Sequence, residues 1–528
     1  MVEAYKESLI RYNICMKIER TKNTIRNTKW GIAQKFVNLL LPFVVRTVLI
    51  HTLSAEYAGL SSLFTSILQI LSLTELGFSS AIVYSMYKPI AEDDRDKICA
   101  LLNLYKKAYR IIGAVILGVG IAILPILPHL INGGTPSDVN LYLLYIIYLA
   151  NTVISYFLFA YKTSLLSAFQ REDVISKNTL VINAMMNLLQ CIVLLIFRNY
   201  YAFSIIIPLS SLILNFINNH SVSRIFPDYA AEGRISEEEK KELKKNLTGL
   251  MILKVGGATR NTLDSIVVSS YLGLVAVAMY NNYFYVVNGV NAFLGVINIS
   301  MSAGVGNKIV TESPEHNYED FQKFHFLYMW IAGVCTVCMM CLYQPFMKLW
   351  MGIELMLPDT VMFLFCYYFL MMKQGDINSI YYQAAGLWWQ GKYRSVIEAI
   401  LNLILNFLLG KFFGIIGILL ATIISYTCVY FYGSKFIFTE YFKNGKLGKF
   451  IIKNLEYMLV TIITGFLTYE VCNLVTSSMK NQYSRIIVMS CIAVTVTNVM
   501  FYLLYSMDKD NKEYIQSIML CVKAAVKK

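Results

Sequence analysis

Apolar and polar positions along this chain alternate in long blocks. From near Trp30 to Met507, apolar runs of about 20 residues are separated by short polar breaks, and about 20 residues is the length an α-helix needs to cross a hydrocarbon layer of ~30 Å. The runs predict fourteen membrane spans, with an uncertainty of one or two, near 30–50, 58–84, 110–132, 139–161, 178–197, 201–219, 247–270, 274–305, 324–347, 358–380, 394–410, 414–434, 451–473 and 485–507. The expected fold is all-α: a polytopic membrane protein with two pseudo-symmetric six-helix bundles, 30–219 and 247–434, and two additional helices within 435–507. An N-terminal segment (1–29), a central charged linker (220–246) and a tail (508–528) are expected in the cytoplasm.

The distribution of Lys and Arg sets the orientation, because cytoplasmic loops carry an excess of both. With the N-terminus inside, the inner segments hold 36 of them, whereas the outer segments hold five: Arg198, Lys348, Lys411, Lys480 and Arg485. A missed or extra span would have scrambled that alternation partway along. The N-terminal segment lacks a short apolar core followed by a small-residue cleavage site, so the first span is expected to remain as a signal anchor. The expected location is a bacterial inner (cytoplasmic) membrane, multi-pass, with both termini cytoplasmic.

Composition agrees. Of the 528 residues 57% are hydrophobic and 15% charged, the mean hydropathy is +0.54, and soluble proteins lie far from this balance. No polar stretch is long enough for an appended catalytic domain, which needs at least ~50 residues. Topology accounts for most of the formal charge of +13, so no nucleic-acid partner is implied. The eleven cysteines lie mostly inside apolar runs, and neither Cys335, Cys338 and Cys341 nor the five dispersed histidines show ligand spacing. No metal or other cofactor is expected.

Charges inside spans carry the chemistry, since each costs at least ~2.5 to 3.5 kcal/mol to insert and should face protein or water. Lys254, Gly257, Arg260, Asn261 and Asp264 fall within about 120° of one helix face, and Lys35, Asn38, Pro42 and Arg46 within about 80° of another. Lys373, Gln374, Asp376 and Asn378 form a short polar run, and Glu75 lies in the second span. Bland readings compete: Arg260 and Asp264 are four apart and could neutralise each other, and Lys35 or Lys254 could snorkel to the interface. A guanidinium deep in a span stays protonated and binds phosphate bidentately, which points Arg46 and Arg260 toward an anionic headgroup. Tyr280, Tyr283, Tyr285, Tyr381, Tyr382, Trp388 and Trp389 could stack on sugars, although interfacial anchoring is the commoner use of such residues.

Four stretches carry a family resemblance: TKNTIRNTKWG from Thr21, AEYAGLSSLFTSILQILSLTELGFSSAIVYSMYKPIA from Ala55, KVGGATRNTLDSIVVSSYLG from Lys254, and YYQAAGLWWQGKYRSVIEAILNLILNFLLGKFFGIIGILLATIIS from Tyr381. Together with the span order, over roughly residues 22–508, they resemble the polysaccharide repeat-unit flippases of the multidrug, oligosaccharidyl-lipid and polysaccharide exporter superfamily. The resemblance implies a non-enzymatic transporter with two six-helix bundles. By alternating access it would carry an undecaprenyl-diphosphate-linked oligosaccharide to the outer leaflet for capsule, O-antigen or exopolysaccharide synthesis. It also implies substrate-binding roles for Arg46 and Arg260, with Asn38, Lys254, Asn261 and Lys373 as further candidates, and ion or proton coupling at Asp264, Asp376 or Glu75. Expected partners are the lipid-linked oligosaccharide, membrane lipids, and the polysaccharide polymerase and glycosyltransferases of the same pathway.

Three alternatives remain. A multidrug exporter of the superfamily has the same architecture, but normally twelve spans and cavities suited to cations. A lipid II flippase has fourteen spans and arginines. A membrane polysaccharide polymerase, an enzyme, handles the same substrate but carries a large external loop, and the outer segments here are about 4 to 12 residues long.

Overall fold

The polar breaks act as helix starts. Asp94 caps the backbone N–H of Lys97, Asn140 those of Tyr142 and Leu143, Asn199 that of Ala202, Ser313 that of His316, and Asn481 those of Tyr483 and Ser484. Each such cap satisfies a donor the helix cannot, typically worth ~1 kcal/mol. In the computed structural model the backbone is described for residues 2–72, 78–387, 393–443 and 445–526, and side chains within these ranges except at 2–22, 24, 25, 242–261, 303 and 518–526. Among the described residues every regular element is a helix.

The chain forms two compact units, one comprising 1–258 with 273–275 and the other 259–272 with 276–528. Unit 1 contains α1 (Val2–Thr52), α2 (Ala55–Leu71), α3 (Phe78–Ala91), α4 (Arg95–Ile123), α5 (Leu141–Phe157), α6 (Thr163–Ala168), α7 (Glu172–Phe197) and α8 (Tyr200–Ile225). Here α1 packs along α7, and α5 and α7 both pack on α8. Amide and hydroxyl groups join these helices inside: Asn178 donates to Asn218, Ser211 to Asn151, and Asn215 to Ser155. Such bonds are the usual glue where lipid removes the hydrophobic drive between helices.

The long α9 (Glu237–Thr311) starts in unit 1 and continues into unit 2, which adds α10 (Pro314–Met351), α11 (Asp359–Ala384), α12 (Arg394–Phe436), α13 (Leu447–Thr476), α14 (Gln482–Tyr505) and α15 (Lys509–Val526). In unit 2, α10 packs against α11, α13 and α14. The C-terminal α15 returns to this group. Its Ile515 joins a buried cluster with Phe326, Met329, Tyr457, Phe501 and Tyr505. The fully buried Asn511 accepts from the Tyr457 hydroxyl and donates to Glu456.

Two helices contain a break. At Gly273 (φ +83°) α9 turns, and at Gly414 (φ +55°) α12 turns, conformations that a side chain would strain. Gly273 falls between the predicted spans 247–270 and 274–305, and Gly414 is the first residue of the predicted span 414–434, which follows 394–410. By length and composition, nine helices among the described residues can cross a membrane, or ten if the bent α5–α6 pair is one span. That differs from fourteen for physical reasons. Each glycine-broken helix counts once, α2 has 17 residues, and α11 carries Lys373 and Asp376 in its apolar run.

Candidate functional site

Burying a carboxylate in an apolar interior is costly unless hydrogen-bond donors surround it, and unit 2 contains such an arrangement. Asp264 of α9 is fully buried. Its Oδ1 accepts from Asn406 Nδ2 at 2.6 Å, and its Oδ2 accepts from the Tyr280 hydroxyl at 2.8 Å and from Thr422 Oγ1 at 2.9 Å. Asn402 extends the cluster, donating to Thr422 Oγ1 at 3.0 Å and accepting from Asn406 at 3.1 Å. The helices supply these groups by their periodicity: Glu398, Asn402 and Asn406 recur every four residues on the buried side of α12, and Thr422 comes from the same helix beyond the Gly414 turn. One carboxylate among amide and hydroxyl oxygens is suited to a proton or a hard monovalent cation, with the Asn406 amide turned to present its oxygen.

A second polar centre lies on α11. Lys373 is buried and its ammonium meets Asp376 Oδ2 at 2.6 Å. The same oxygen accepts from the Tyr328 hydroxyl at 2.5 Å and Asn298 Nδ2 at 3.1 Å, so α9, α10 and α11 converge on one carboxylate. Lys373 also sits 5.7 Å from the Phe369 ring centroid. Lys373, a candidate substrate ligand, pairs with Asp376. Next to it, Gln374 donates to the Asn454 backbone, and Asn454 is also bonded to His325 at 2.9 Å, which ties α11 to α13 and α10.

In unit 1 the half-buried Arg46 donates from Nη1 to Ser62 Oγ at 3.2 Å, linking α1 to α2 seven residues after Ala55, where α2 begins. Asn38 is exposed and accepts from Asn183 at 3.0 Å, an α1–α7 contact. Glu75 lies outside the described residues, as do the side chains of Lys254, Arg260 and Asn261, although the last three belong to the α9 backbone. The candidate stacking residues Tyr280, Tyr283, Tyr381 and Tyr382 are buried: Tyr280 serves Asp264, and Tyr283 stacks on Tyr343 with ring centroids 5.1 Å apart. Trp388 and Trp389 lie outside the described residues.

The sequence reading missed the donors around the two carboxylates. For Asp264 a signal existed: three polar residues at four-residue spacing within the apolar run of α12. For Asp376, Tyr328 and Asn298 are distant in sequence and carry no such mark.

A family profile described as polysaccharide biosynthesis protein matches residues 24–299, more than half of the 528. No curated protein sequence matches the chain. Among solved structures, the lipid II flippase MurJ in an inward closed conformation is similar at TM-score 0.66 and 18% identity, covering 90% of this chain and 99% of that one. An inward-facing multidrug resistance MATE transporter of the MOP superfamily is similar at 0.58 and 13% identity, covering 78% of this chain and 96% of that one. A MOP superfamily transporter from Pyrococcus furiosus is similar at 0.51 and 13% identity, covering 81% and 96%. At these identities the likeness establishes the fold. With its many apolar helices, that fold and the matched profile, this multi-pass membrane protein belongs to the polysaccharide biosynthesis protein family.

Proposed function

We propose that the protein is a flippase that carries an undecaprenyl-diphosphate-linked oligosaccharide repeat unit across the bacterial cytoplasmic membrane by alternating access, with both termini in the cytoplasm. The observation that carries this reading is the match to the polysaccharide biosynthesis family on a transporter fold. Arg46 and Arg260 are the proposed ligands of the diphosphate, because a guanidinium keeps its charge and its fork in a low-dielectric setting. Asn38, Lys254 and Asn261 are secondary candidates. Proton or cation binding at Asp264 is the proposed energy coupling, supported by its full burial among the described Asn406, Tyr280 and Thr422. Directionality requires that this occupancy favour one conformational state over the other.

The test is the fate of lipid-linked oligosaccharide in cells lacking the protein, complemented by wild type or by Arg46→Ala and Arg260→Ala at matched expression. Accumulation on the cytoplasmic leaflet, cleared by wild type and not by the variants, is the expected result. Repeat units that reach the outer leaflet but stay unpolymerised would instead identify a polymerase. A lipid II flippase is the second reading, favoured by the fold shared with MurJ over 90% of the chain. Complementation of a strain depleted of its lipid II flippase distinguishes the two.

A further inference from the structure

The exposed side chains of a membrane-spanning helix report what that helix faces. Most long helices here expose aliphatic or aromatic hydrocarbon, as lipid contact requires: Ile111, Val115 and Val119 on α4, Met185, Leu188 and Ile192 on α7. The segment formed by α2 and α3 does not. Among its described residues no Leu, Ile, Val, Met or Phe is exposed; the outward positions are instead Thr65, Gln69, Ser80, Tyr84, Tyr87 and Lys88, with Glu56 and Ala91 at the ends. At about 100° per residue, Ser80, Tyr84, Tyr87 and Lys88 fall within roughly 100° of one face of α3, and Ile82, Met86 and Pro89 on the other side are buried.

From this face we infer a glycan-binding platform in which Tyr84 and Tyr87 stack on a pyranose ring of the transported oligosaccharide; the inference rests on the flippase reading above. The two rings are 72% and 46% exposed, with centroids 6.2 Å apart and planes at 76°. One ring can therefore lie against the C–H face of a sugar while the other closes its edge. Both hydroxyls remain available to sugar hydroxyls. The flanking groups suit a sugar attached to a diphosphate. Lys88 lies one turn from Tyr84 and pairs with Glu92 only across 3.8 Å of exposed surface. On α2, Thr65 and Gln69 continue the stripe from Ser62, to which Arg46 donates.

An interfacial aromatic belt is the competing explanation. The predicted span 58–84 puts the pair at its inner end, where a belt would lie. Against a belt alone stand the outward positions further in, Ser80 on α3 and Thr65 and Gln69 on α2, which are polar where a belt gives way to hydrocarbon.

The test is binding by the purified full-length protein in nanodiscs of two probes, undecaprenyl diphosphate and the same lipid bearing an N-acetylhexosamine disaccharide. Wild type should bind the glycosylated lipid more tightly. Tyr84→Ala and Tyr87→Ala should each weaken that binding about 2- to 10-fold, the scale of one aromatic contact, and leave the bare diphosphate unchanged. Tyr→Trp should restore binding and Tyr→Leu should not. Equal effects on both lipids, or rescue by Leu, would overturn the platform in favour of an interfacial anchor. No effect of either alanine variant would also overturn it while leaving the flippase reading intact. Failure of wild type to bind either lipid would remove that reading and the platform together.

Discussion

Replacing Asp264 should be one of the more damaging single changes in unit 2, by an amount the geometry bounds. The carboxylate accepts from Asn406, Tyr280 and Thr422, and a buried donor left without an acceptor costs ~1–3 kcal/mol. Two of the three have a second acceptor: Asn406 reaches Asn402 Oδ1 at 3.1 Å and Thr422 the Ile418 carbonyl at 3.2 Å. Among the described donors the principal loss in Asp264→Ala is the Tyr280 partner together with the small void, roughly 2–5 kcal/mol. For a unit of this size that is a fall of about 5–15 °C in melting temperature. Asp264→Asn keeps the shape and one acceptor oxygen, and should cost about half as much. Cys341, Cys366 and Cys472 are all buried in unit 2 whereas Cys428 and Cys491 are exposed, so with the two exposed thiols replaced by Ser a thiol-reactive fluorogenic dye reads its unfolding. Repeating the melts across pH and with sodium or potassium separates coupling from stability. Asp264→Asn should abolish any ion- or proton-dependent shift seen in wild type. An Asp264→Ala protein that melts within about 2 °C of wild type would refute the network as described.

The Lys373–Asp376 pair, buried at the lysine and partly exposed at the aspartate, gives a double-mutant cycle: Lys373→Met alone should cost about 1–3 kcal/mol by leaving Asp376 unneutralised, and adding Asp376→Asn should recover most of it, read by the same dye melt. Gly417→Ala places a Cβ 2.0 Å from the Leu409 carbonyl oxygen across the α12 turn, and because that obstacle is backbone, a loss of monodisperse protein on size exclusion is expected. At the C-terminus, burial raises the Asp508 carboxyl, but the Asn511 N–H and the Lys453 ammonium outweigh it and hold the group below the ordinary carboxylate range. Its stabilising contribution is thus present above pH ~4 and disappears as the pH falls through the depressed value. Asp508→Asn should lower the melting temperature slightly at pH 7, by less than ~1 kcal/mol given its exposure, and not at all near pH 2.

Much of the architecture was legible in the primary structure, for a physical reason. A bilayer forces the backbone to satisfy itself locally, so the all-helical class follows from the runs of apolar residues alone. The polar face of span 7 was visible for the same reason, since Asp264 is too costly to leave in lipid. Partnership was not visible. Lys373 looks like a lone cation in an apolar helix, yet it is held by Asp376, whose carboxylate also accepts from Tyr328, and it lies against Phe369. Tyr280 and Tyr84 are the same residue in similar runs, but packing buries Tyr280 against Asp264 and leaves Tyr84 open. Periodicity fixes which face of a helix a residue occupies; which faces meet, and so which charges are neutralised and which aromatic rings stay exposed, depends on how separate helices pack and was decided only by the tertiary structure.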